Sequence, residues 1–200
     1  MLEIPVVLEV LATLFGLAYV ILAAKKNIWC WLMGIIGSIS SIYLFWFYSK
    51  LYAEAILSFY YVITGIIGWI YWDKPKTELP VLKVSYTAHS LFIVIGIGLS
   101  FAFYSLVTYV FTDAARPLLD SFTTVFSFLA TLITIKKWIS NWIYWIVIDA
   151  VTAYMYWSRD LNIYSGLMIL YTVLAIYGYL QWRKSEAKTV TLVQLFQKLY

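Results

Sequence analysis

The chain has 200 residues, of which only 12% are charged, and carries a formal net charge of +4. A soluble domain of this length carries about 25% charged residues, and a mean hydropathy of +0.84 leaves more apolar surface than one soluble core could hide. That excludes a soluble globular protein, and the basic excess lies in short loops, so it is no footprint for nucleic acid.

Apolar runs recur along the chain, several of them near ~20 residues, the length that spans a bilayer as a helix. The alternating segments of a transmembrane barrel are missing. The expected fold is therefore an all-α membrane protein with seven transmembrane helices, at 6–24, 29–48, 53–72, 86–110, 118–135, 138–157 and 162–182. The opening "MLEIPVV" has no basic n-region, so the first run is expected to stay as a helix. The second span reads "WCWLMGIIGSISSIY" and holds the single cysteine, Cys30, which has no partner for an internal disulfide. Its small residues Gly34, Gly37, Ser38 and Ser41 suit close helix packing. Glu54 opens the third span at a wetted boundary, and His89 opens the fourth near an interface. Asp120 falls in the first turn of the fifth, where the helix dipole favours an acid. The short loops leave no room for an extramembrane catalytic or nucleotide-binding domain.

Eleven Lys and Arg residues fall on one side of these spans and three, Lys50, Arg116 and Arg159, on the other. The basic side faces the cytoplasm, which puts the N-terminus outside and the C-terminus inside.

The chain also repeats itself. At an offset of 111, Lys25-Lys26 falls on Lys136-Lys137, Trp31 on Trp142, Tyr43 on Tyr154 and Trp46 on Trp157. At 110, Tyr61 falls on Tyr171, Gly68 on Gly178 and Trp72 on Trp182. The expected organisation is a first three-helix repeat with its following loop (1–83), a linker helix (84–117), a second repeat (118–184) and a cytoplasmic tail (185–200). An odd number of helices per repeat plus one linker gives both repeats the same orientation. This 3+1+3 arrangement is like that of SWEET sugar transporters, with substrate expected between the halves near the midplane.

The sixth span contains "NWIYWIVID", an aspartate inside an apolar run. At about 100° per residue, Trp138, Trp142, Trp145, Asp149, Thr152 and Tyr156 share an arc of roughly 80°. Twelve residues of helix separate Asp149 from Lys137 and rise about 18 Å, near the bilayer middle. A carboxylate there costs on the order of 3 kcal/mol and needs a partner, a proton or water. No Lys or Arg lies within the spans to supply one. A cationic ligand would, and tryptophan faces attract cations and stack on flat rings. Two plainer readings stand beside this one: Trp138 and Trp142 as interfacial anchors next to Lys137, and Asp149 as a structural residue bonded to another helix.

These residues resemble the PnuC-type vitamin transporter family over nearly the whole chain. The first half supplies "WLMGIIGSISSIYLFWFYSKLYAEAILSFYYVITGIIGW" and the second "RPLLDSFTT", "NWIYWIVID" and "GYLQW". The N-W-x-x-W-x-x-x-N/D stretch is the most specific part. The resemblance implies facilitated diffusion of an unphosphorylated vitamin, trapped afterwards by a cytoplasmic kinase, in a homotrimer embedded in membrane lipid. It implies a substrate site lined by Trp142, Trp145 and Asp149. Asn141 and Thr131, with Trp31, Ser38 and Tyr154 from the repeat alignment, complete the expected set. Riboside transporters of the family usually place Asn at the position of Asp149 and Gln at that of Thr131. The acid resembles the thiamine-type branch, which makes thiamine the first expected substrate and nicotinamide riboside the alternative. No metal or catalytic cluster and no phosphate-binding Gly-rich loop is present, so no cofactor and no enzyme activity are expected.

Overall fold

The computed structural model describes residues 3–49, 52–73, 81–110 and 117–199, with the side chains of 49, 52–54, 110 and from 186 onward left aside. Seven helices follow in order: α1 (Ile4–Ala24), α2 (Trp29–Tyr43), α3 (Tyr52–Trp72), α4 (Tyr86–Val110), α5 (Pro117–Ile135), α6 (Asn141–Trp157) and α7 (Asn162–Leu199). A π-helical turn, Leu44–Ser49, continues α2. All but α6 are long and apolar enough to cross a membrane, and α6, with 17 residues, lies at the short end of the spanning range. The sixth span thus starts three residues later than expected, because 138–140 form the turn before it. The seventh helix continues past the expected tail boundary at 185 to Leu199. Glu54, Lys50 and Arg116 lie outside the described residues or side chains.

Two compact units emerge, Met1–Pro80 and Val81–Tyr200. The first holds α1 to α3 and the second α4 to α7, so the linker helix groups with the second repeat. Phe126 of α5 explains the grouping: its ring covers Gly96 of α4 so closely that an added Cβ would lie 2.5 Å from it. Phe92 of α4 also packs on Tyr144 of α6, ring centroids 4.8 Å apart.

Within the two units the same local geometry recurs. α1 ends with Lys26 at φ 57°, and α5 is followed by Lys137 at φ 54°. Each left-handed lysine lets the chain close its helix with paired backbone bonds: Lys26 N to Ala23 O and Asn27 N to Leu22 O, both 2.9 Å, then Lys137 N to Thr134 O at 3.0 Å and Trp138 N to Ile133 O at 3.1 Å. A non-glycine residue in this conformation costs roughly 1–2 kcal/mol, and here the recovered carbonyls and a cation at the helix C-terminus offset it.

The next helix of each unit then carries a buried tryptophan onto a glycine. Trp31 lies across Gly68 and meets Trp72 edge-on at 5.3 Å and 87°. Trp142 lies across Gly178 and meets Trp182 edge-on at 5.5 Å and 89°. In lipid, where burial from water gives no drive between helices, such close packing holds helices together. Small residues on α2 serve the same end: Tyr19 of α1 fills the space over Gly34, with 3.0 Å to an added Cβ.

Candidate functional site

The two repeats share their scaffold and differ in what they hang on it. In the first unit the relevant positions on α1 and α2 are Ala23, Cys30 and Gly34, of which Ala23 and Cys30 are fully buried. At the matching positions the second unit has Thr134, Asn141 and Trp145. Bulk has also changed sides: Tyr19 over Gly34 in the first unit becomes Ala130 and Trp145 in the second. Ala130 is fully buried in a cluster with Phe126 and Ile148, against which Trp145 and Tyr144 pack.

The exchange brings a polar chain into the second unit. The Trp145 indole N–H donates to Thr134 Oγ1 at 3.4 Å. Thr134 Oγ1 lies 2.8 Å from Ala130 O and 3.2 Å from Asn141 Oδ1, and can donate to either. Asn141 Nδ2 donates to Trp138 O at 2.6 Å. Asn141 is wholly buried, whereas Trp145 keeps part of its ring open.

Asp149 stands one helical turn beyond Trp145 and is half-buried. It forms no hydrogen bond or ion pair among the described residues, and it lies within electrostatic reach of the Tyr171 phenol on α7. Neither α5 nor α6 contains a Lys or Arg. Asn141, Trp145, Asp149 and Thr152 therefore form a stripe that is polar, aromatic and acidic, suited to a flat ring with positive charge.

Trp142 goes elsewhere. Only 3% exposed, it is clamped against α7, and its buried indole N–H has no hydrogen-bond partner among the described residues. Trp31 is placed likewise in the first unit, its N–H also buried and without a partner among the described residues. Thr131 is buried and turns its hydroxyl back to Ser127 O at 2.8 Å. Ser38 is half-buried in the first unit, and Tyr154 is exposed near the end of α6. The second unit thus links Asn141 with Trp145 through Thr134, and sets Asp149 on the same face.

Thr134 was not singled out in the sequence. The signal for it is the repeat alignment itself, read for positions where an apolar residue in one half faces a polar one in the other. A second unforeseen partner is Arg159, whose guanidinium reaches Asp120 at 3.2 Å and ties the α6–α7 turn to the start of α5. His89, half-buried, lies with Nδ1 3.2 Å from the Tyr144 hydroxyl.

Known proteins agree with this architecture. The family model described as nicotinamide mononucleotide transporter matches residues 6–184. The nicotinamide riboside transporter PnuC of Escherichia coli is 24% identical over 208 residues, covering 89% of this chain and 85% of that one. The protein of the same name from Neisseria mucosa is 26% identical over 188 residues, covering 86% and 70%. A crystal structure of the vitamin B3 transporter PnuC superposes with a TM-score of 0.74 at 23% identity, covering 90% of this chain and 82% of that one. A match that runs from α1 to the membrane part of α7 leaves one conclusion: this chain belongs to the PnuC family of membrane transporters.

Proposed function

We propose that this protein carries nicotinamide riboside across the bacterial inner membrane by facilitated diffusion, with phosphorylation inside the cell trapping the product. The observation that carries the reading is Asp149, half-buried beside Trp145 on a helix pair that lacks any Lys or Arg. An acid and an indole face favour a flat pyridinium. The same surroundings repel a phosphate, which needs cations or a helix N-terminus, so the unphosphorylated riboside suits the site better than the mononucleotide. The names of the relatives favour the riboside over thiamine, reversing the order expected from sequence alone.

In this reading Trp145 and Asp149 line the second repeat's wall, with Asn141 buried behind Trp145 and Thr131 buried in α5. Trp31 and Trp142 are the matched scaffold of the two repeats. Ser38 occupies the position in the first repeat that matches Asp149, and Tyr154 lies near the end of α6. The helices follow a 3+1+3 order along the chain, with the N-terminus outside, and transport proceeds by alternating access. Three copies assemble. The recurrence of the left-handed lysine and the Trp–Gly–Trp packing in both units supports the duplication.

Thiamine remains the second reading, favoured by one residue: Asp149 is an acid where riboside transporters of the family usually carry an amide. Calorimetric titration of the purified protein with nicotinamide riboside, nicotinamide mononucleotide and thiamine separates them. The riboside is expected to bind most tightly and the mononucleotide at least tenfold more weakly. Saturable binding of thiamine without riboside binding overturns the assignment.

A further inference from the structure

Comparing the two halves position by position separates what holds the fold from what was added to one half. The left-handed lysine, the buried tryptophan on a glycine and the edge-on second tryptophan occur in both and belong to the scaffold. The chain Trp145–Thr134–Asn141 occurs only in the second half, where the first has Ala23, Cys30 and Gly34. An apolar set at these positions packs well enough in the first unit, so the polar set is not required for packing.

We infer that Thr134 is a positioning residue for substrate binding: it sets the orientation of the Trp145 indole on which the ring of the ligand stacks. A partly exposed tryptophan has two flexible torsions, and stacking needs its plane fixed. The ring packs against the cluster of Phe126, Ala130 and Ile148. The hydroxyl of Thr134 fixes the other coordinate, since it accepts from Nε1 at 3.4 Å. Thr134 is held in turn. Its own proton goes to Ala130 O or Asn141 Oδ1, and Asn141 is anchored by the 2.6 Å bond to Trp138 O. Thr134 is 2% exposed and Asn141 0%, so the chain acts from behind the indole. The contrast with Trp142 is direct, because its N–H has no partner among the described residues and the ring lies tightly across Gly178.

The inference deepens the site proposed above, and two measurements keep the two apart. The first needs no ligand. In protein labelled with 15N in its tryptophans, the Trp145 indole N–H signal is identified by its loss in Trp145→Phe. Thr134→Val, which removes the hydroxyl at nearly constant shape, should shift that signal and speed its exchange with deuterium. Thr134→Ser should leave both close to wild type. A Trp145 signal unmoved by Thr134→Val overturns the positioning role, whatever the substrate. The second is affinity for nicotinamide riboside, with thiamine in parallel. Thr134→Val is expected to weaken binding of the ligand that wild type takes by about fivefold, the worth of one hydrogen bond. In the Trp145→Phe background the same substitution should add almost nothing. An equal loss in both backgrounds means that Thr134 acts independently of Trp145 and overturns the inference. Wild-type protein that binds neither vitamin refutes the proposed substrates, while the exchange measurement still decides whether Thr134 fixes the indole.

Discussion

At the scale of single residues, the proposed site rests on Asp149. A carboxylate in an apolar helix persists when something repays its desolvation, and nothing cationic stands within α5 or α6 to do so. A cationic ligand meets that need, and the two candidate vitamins use it differently. The riboside offers hydroxyl groups that an amide can accept as well as an acid can, whereas thiamine offers an amino group beside its charged ring. Asp149→Asn is therefore expected to change riboside affinity by less than about threefold and to weaken thiamine by about tenfold, the worth of a hydrogen bond to a charged group. Equal losses measured by titration would show that charge alone is read. The motif around Asp149 was legible in the sequence, but the division of labour between its two tryptophans was not. Trp142 and Trp145 fall on one arc of the helical wheel. Which one a neighbouring helix claims depends on Gly178, on α7, and on Ala130, on α5, and a wheel holds no neighbours.

Helices meet through tryptophans laid across glycines. Gly68 and Gly178 leave room that any side chain would fill, with an added Cβ 2.5 Å and 2.7 Å from the facing indole. Gly178→Val should force Trp142 out of its seat and destabilise the α6–α7 pair by about 1–3 kcal/mol, read as a lower unfolding temperature in detergent. Trp142→Phe should do likewise with a modest effect on affinity, whereas Trp145→Phe should spare stability and weaken binding. The reverse pattern would exchange the roles given to the two residues. Most element boundaries followed from hydropathy and from charge. The exceptions have local causes. The Lys137 turn occupies 138–140, where Ile139 N bonds to Leu82 O at 3.1 Å and Leu82 N to Lys137 O at 3.0 Å. That bridge is a contact distant in sequence, which periodicity does not register. The extension of α7 beyond its apolar part adds polar residues that continue the helix without a breaking Gly or Pro.

At the scale of the whole molecule, the two units share one local geometry and differ at matched positions: Thr134, Asn141, Trp145 and Asp149 in the second stand where the first has Ala23, Cys30, Gly34 and Ser38. The lysines and tryptophans that align in the sequence are the residues whose conformation and packing recur in both units. The polar chain escaped notice because its members are ordinary residues whose meaning lies in the contrast between halves. The excess of basic loop residues on one side is the basis for expecting the C-terminus in the cytoplasm. A reporter active only in the cytoplasm, fused after Tyr200, should be active, and one fused before Met1 should be silent. Activity at both ends would contradict an odd number of crossings.

The most direct test of a flat, unphosphorylated cation as substrate is uptake into liposomes that contain only the purified protein. Labelled nicotinamide riboside should equilibrate across the membrane without an ion gradient or ATP, and should accumulate when a riboside kinase and ATP are enclosed. Trp145→Phe and Asp149→Leu should each slow this uptake at least tenfold. Uptake of the mononucleotide at the same rate as the riboside, or riboside uptake indifferent to Asp149→Leu, would contradict the account.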